Sequence, residues 1–81
     1  MIKFLIVRDT IIEGHEVQTH FCKNSQGREM FVLCGGDAAF RFNSVVDAAN
    51  ELHRIALEKG WLESNMKVIE VDTDVTMEVP L

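Results

Sequence analysis

The sequence predicts an α+β fold, a mostly antiparallel sheet of four to five strands with one helix packed on one face, in the order β-β-β-(β)-α-β-(β). Three observations carry that reading. Extended stretches with β-branched, aromatic or alternating residues recur over 2–7, 15–23, 28–34 and 66–71. The tetrad Asn24-Ser25-Gln26-Gly27 separates two of them as a turn. One segment, 45–59, carries apolar residues at helical spacing.

Ile2 to Val7 has apolar residues on both parities, the pattern of a strand buried on both faces and central in its sheet. Asp9 to Gly14 sets Ile11-Ile12 among turn formers and reads as a loop or a short strand end. His15 to Lys23 alternates, with Val17, Thr19 and Phe21 on one parity and Glu16, Gln18, His20 and Cys22 on the other. Residues 15–34 form a hairpin around the 24–27 turn. A two- or four-residue loop sets Val17, Thr19 and Phe21 beside Met30, Val32 and Cys34. It then sets Gln18, His20 and Cys22 beside Glu29, Phe31 and Leu33. A three- or five-residue loop swaps one strand's parity. Gly35-Gly36-Asp37 breaks the strand, and Ala38 to Phe42 is a candidate for a short fourth one.

The helix runs from Val45 to Lys59. The Ser44 hydroxyl can accept from the free amide of Asp47, whose carboxylate suits the positive end of the helix dipole. Val45, Ala48, Ala49, Leu52, Ala56 and Lys59 fall on one stripe, opposite Asp47, Asn50, Glu51, Arg54 and Glu58. Gly60 is the left-handed residue that ends the helix, and Trp61 can fold back toward Ala56. Met66 to Val71 is a further strand, and Val75 to Val79 a last strand or an extended tail.

The 81 residues contain no repeat, low-complexity stretch or linker and read as one domain, 1–81. A domain this small hides only about 60–65% of its unfolded surface, so oligomerisation is a common supplement. The longest apolar run is Phe4-Leu5-Ile6-Val7, against the roughly 20 residues that span a bilayer. With only Cys22 and Cys34, both expected as reduced thiols, the chain reads as cytoplasmic. The net charge of −5 arises in the second half: residues 1–42 balance, whereas residues 43–81 set Asp47, Glu51, Glu58, Glu63, Glu70, Asp72, Asp74 and Glu78 against Arg54, Lys59 and Lys67. No basic cluster exists to neutralise phosphates, so nucleic acid is excluded as a partner, whereas a basic protein is permitted. No membrane partner is expected.

One helix covers one sheet face. The other would show Leu5, Val7, Phe31 and Leu33 around His20, and Val46, His53 and Leu57 add an apolar shoulder to the helix. The leading expectation is therefore a non-catalytic interaction module that forms a homodimer or higher homo-oligomer through the apolar sheet face. A second reading lines a small apolar pocket with Phe31, Leu33, Trp61 and His20, suited to a cationic or aromatic ligand. A third uses Glu63, Glu70, Asp72, Asp74 and Glu78 as an acidic surface that inhibits a basic nucleic-acid-binding protein.

Catalytic and metal chemistry find little footing. His15 projects opposite to His20 and Cys22 on a continuous strand, and two ligands are too few for structural zinc. Residues two apart on a strand sit about 6.5–7 Å apart, too far for a Cys–His nucleophile and base. Glu70, Asp72 and Asp74 form a row rather than the wrapping loop a hard cation prefers. Gly35-Gly36-Asp37 lacks the downstream Lys-Ser/Thr of a phosphate loop. No catalytic residue, metal or cofactor is expected, and the protein is not read as an enzyme.

The stretch Phe42-Asn43-Ser44-Val45-Val46-Asp47-Ala48-Ala49 entering the helix is followed by Gly60-Trp61 and a strand. Together with small size and acidity, this resembles in type the small orphan proteins of mobile genetic elements, such as integron gene-cassette products and phage anti-CRISPR proteins.

Overall fold

A computed structural model describes residues 1–33 and 39–72. Strands β1 (Ile2–Ile12), β2 (His15–Lys23), β3 (Glu29–Val32) and β4 (Met66–Asp72) form one sheet in the order β3-β2-β1-β4, antiparallel at every junction. Helix α1 (Val45–Lys59) packs on one face, and a single 3-10 turn (Glu63–Asn65) leads into β4. The α+β class, the central place of β1 and the helix bounds follow the sequence reading.

The first departure is the length of β1. Its ladder with β2 continues from Val7↔His20 to Ile12↔His15, so most of the stretch read as a loop or strand end is strand. Glu13 and Gly14 alone make the turn, both with positive φ (52° and 81°). That is the backbone of a two-residue hairpin whose twist matches its flanking strands.

The second departure is the parity of β3. Lys23 pairs with Glu29, which leaves the five residues 24–28 in the loop. Asn24 stabilises this loop, its side-chain oxygen accepting from the amides of Gln26 and Arg28 (2.9 and 2.8 Å). An odd loop swaps the parity, so Phe31 lies opposite Phe21 and Cys22 opposite Met30. The pairing of Cys22 with Glu29 and the placing of Phe31 on the uncovered face are thereby corrected.

The core on the helix side contains Ile6, Phe21, Phe42, Ala48, Leu52, Ile55, Ala56 and Met66, flanked by Phe4, Phe31, Phe40, Trp61 and Val68. Phe21 is its hub, with the rings of Phe31, Phe40 and Phe42 at 5.6, 6.1 and 6.2 Å between centroids. The candidate fourth strand is reduced to an isolated bridge in which Phe4 and Phe42 exchange both backbone hydrogen bonds (3.0 and 2.8 Å). The Phe40 amide also donates to the Phe21 carbonyl at 2.9 Å. Residue 38 of that stretch, residues 34–37 before it, and the strand or tail read over 75–79 lie outside the described residues.

Helix α1 begins and ends as its sequence dictates. Ser44 Oγ accepts from the Asp47 amide at 3.1 Å, and Gly60, at φ 68°, returns its amide to the Ala56 carbonyl. Its buried residues are Ala48, Leu52, Ile55 and Ala56. Relative to the predicted stripe the helix is rotated, so Ile55 is buried while Val45 and Ala49 are exposed. Ile55 carries far more apolar area than Ala49, and burying it gains more.

Candidate interaction surfaces

The residues expected on an uncovered sheet face do not form one patch. Leu5 and Val7 do project away from the helix, yet they are only 4% and 0% exposed in the single chain. In register Val7 lies between His20 and Lys67, and Leu5 beside Ile69. Phe31 belongs to the helix-side core, its ring 5.3 Å from that of Trp61. Leu33, just past β3, is exposed. The proposed pocket set is divided in the same way, because His20 shares the face of Val7 whereas Phe31 and Trp61 pack under the helix.

The helix shoulder behaves otherwise. Val46 and Leu57 are 63% and 69% exposed, with Val45 and Leu62 exposed beside them. At 100° per residue, Val45, Ala49, His53, Val46 and Leu57 cover an arc of about 120° adjoining the buried stripe. His53 is held in this arc by Glu63, with Nδ1 2.7 Å from Oε2. The helix is therefore apolar over a wider arc than the sheet can cover.

On the opposite flank, Arg54 gathers three carboxylates. Its Nη2 donates to Glu29 Oε2 (2.7 Å) and Glu51 Oε2 (2.8 Å), its Nε to Glu51 Oε1 (3.0 Å), and its Nη1 to Glu58 Oε2 (2.9 Å). The hydrogen bonds from Arg54 hold the Glu51 carboxyl below its ordinary range, and Glu51 and Glu58 in turn keep the guanidinium protonated. This cluster ties the helix to β3 and anchors the polar flank.

A third surface escaped the sequence reading. Strand β4 starts at Met66, opposite Arg8, so among the described strands residues 9–12 of β1 pair only with β2. Beside this edge lies an open cleft of about 330 Å³ lined by Arg8, Asp9, Thr10, Ile11, Glu16 and Asn65. The Arg8 guanidinium is stacked 3.8 Å from the Trp61 ring centroid. The missed signal was Glu13-Gly14: recognising it as a hairpin turn would have extended β1 and exposed its free end.

Of the acidic surface, Glu63 is engaged by His53 and Asp72 by the N-terminal amine of Met1 (3.0 Å). Glu70 stands opposite Phe4 in β1, and Asp74 and Glu78 lie outside the described residues. Among the described residues, His, Cys, Asp and Glu nowhere gather in threes as a metal ion would require, and no helix is long and apolar enough to cross a membrane. Cys22 is a buried free thiol whose pKa burial pushes up. No protein family, curated protein or solved structure matches the chain.

Proposed function

We propose that the protein is a non-catalytic interaction module that self-associates through the outer flank of α1. The observation that carries this reading is the exposure of Val46 and Leu57, at 63% and 69%, on a helix flank bounded by a fully formed core. The two side chains stand eleven residues apart, about 16 Å along the axis. Ala49 and His53 lie between them. An antiparallel, two-fold pairing sets Val46 of one copy against Leu57 of the other, the self-complementary arrangement that closed dimers use. Charge favours this flank for two copies of a chain of net −5. The carboxylate beside it, Glu63, is engaged by His53, while Glu51 and Glu58 point to the Arg54 side.

Sedimentation equilibrium tests the reading with the double variant Val46→Asp, Leu57→Asp. Both positions are exposed, so helix content by circular dichroism should persist while the dimer dissociates. A wild-type protein that sediments as a monomer at high micromolar concentration overturns it.

A further inference from the structure

We infer that the free edge of β1 at Asp9–Ile12 is a docking site for an extended, basic peptide segment, which would add to the sheet as a strand. This goes beyond the self-association reading and uses a different surface.

The backbone geometry sets the direction of the unpaired groups. Phe4 exchanges both of its hydrogen bonds with Phe42 on the β2 side of β1. Successive residues of a strand point their amides and carbonyls to opposite sides. The even residues of β1 therefore face β2 and the odd residues face β4. The tight turn at Glu13-Gly14 agrees, since it makes Ile12–His15 the hydrogen-bonded closing pair. With β4 starting opposite Arg8, the register sets Asn65 beside the Asp9 amide; the Asp9 carbonyl and the Ile11 amide and carbonyl face outward, and among the described residues no strand pairs with them. One donor and two acceptors at strand spacing are the main-chain part of a strand-addition site. The 330 Å³ cleft supplies the space.

The side chains select the occupant. Asp9 and Ile11 share one sheet face, and Glu16, the cross-strand partner of Ile11, lies on the same face. Among the described residues neither Asp9 nor Glu16 has an ion-pair partner, although both line the cleft. A strand added here meets two carboxylates on that face, with Thr10 and Ile12 on the other. Lysine or arginine at alternate positions of the peptide, with apolar residues between, complements both faces. A second copy of this chain does not. Pairing two such edges about a two-fold axis sets Asp9 opposite Ile11 of the other copy and gathers four carboxylates on one face, where like charges repel.

The test titrates two fluorescein-labelled peptides, alternating Lys-Val and alternating Glu-Val, by anisotropy, and follows amide hydrogen exchange at Ile11. The Lys-Val peptide should bind at least about tenfold tighter than the Glu-Val peptide and should protect the Ile11 amide. Ile11→Pro removes an outward N–H without touching the β1–β2 ladder, as edge strands permit. It should weaken binding about tenfold or more. Asp9→Asn with Glu16→Gln leaves the backbone intact and should abolish the preference for lysine. Retained binding by Val46→Asp, Leu57→Asp separates this site from the self-association flank. The inference is overturned by equal affinity for the two peptides, by no binding of the Lys-Val peptide at millimolar concentration, or by full affinity in a folded Ile11→Pro protein. Concentration-dependent protection of the Ile11 amide without peptide overturns it too, by making a second copy the occupant.

Discussion

Arg54 of α1 and Glu29 of β3 meet at 2.7 Å across the layers of the fold, and the same guanidinium holds Glu51 and Glu58 of its own helix. One planar cation thus bridges three carboxylates, and the fixed fork of the guanidinium suits that task better than an ammonium would. The Glu51 carboxyl is held below its ordinary value of 4.5 by the Arg54 hydrogen bonds. A depressed carboxyl stabilises the fold above its unfolded pKa, and the contribution disappears as pH falls through the folded value. Stability should therefore decline below about pH 4.5. In Arg54→Gln that component of the decline should vanish. The groups are partly exposed, so the variant should lose only about 1 kcal/mol at neutral pH, and less in high salt. Urea midpoints from pH 3 to pH 7, at two ionic strengths, check this; identical pH profiles for the two proteins would contradict it.

The helix ends offer a second measurement. Gly60 adopts φ 68°, and a Cβ placed on it would meet no atom within 4 Å. The cost of Gly60→Ala is then backbone strain alone, about 1 kcal/mol. Ser44→Ala removes the acceptor for the Asp47 amide and should cost a similar amount, about 1 kcal/mol. The two sites lie at opposite ends of the helix, so the double variant should lose the sum. A double variant no less stable than either single one would show that the helix ends fray in the native state.

Cys22 is 7% exposed, and burial raises its thiol pKa, so little thiolate reaches solvent. Iodoacetamide at pH 8 should leave Cys22 unmodified in the folded protein and alkylate it in urea, with peptide mass mapping as the readout. The expected absence of a Cys22–Cys34 bridge is tested alongside, since unfolding without reductant should release two titratable thiols. Rapid native alkylation of Cys22 would mean that its side of the sheet opens readily.

Much of the fold was legible because its signals are local. Ser44, Asp47 and Gly60 each act within one turn of the chain, so the helix bounds were readable to the residue. Pairing signals are local only through the turn that sets them. The Asn24–Arg28 loop holds five residues where an even count was favoured, and that one residue carried Phe31 to the other face. The rotation of α1 is a tertiary choice between Ile55 and Ala49, and periodicity cannot make it. Of the candidate surfaces, the shoulder of Val46, His53 and Leu57 was visible in the sequence. The free edge of β1 was not, because an edge is defined by where a neighbouring strand stops.

The turn that builds this edge makes the last prediction. Glu13 holds φ 52° in the left-handed region, where the Cβ of most residues crowds the following carbonyl. Asparagine tolerates the conformation, and Asn-Gly is the favoured pair for a two-residue hairpin. Glu13→Asn creates that pair with Gly14 and should raise stability by about 0.5–1 kcal/mol, relieving strain without a new tertiary contact. Among the described residues the exposed side chain of Glu13 has no hydrogen bond or ion pair to lose. Because Ile12↔His15 closes the ladder directly against the turn, the gain should slow amide exchange in residues 9–12 and 15–18 before it reaches the rest of the sheet. Chemical denaturation with residue-resolved exchange measures both effects. A Glu13→Asn protein of unchanged or lower stability would mean that the β1–β2 register is held by the strands rather than by their turn.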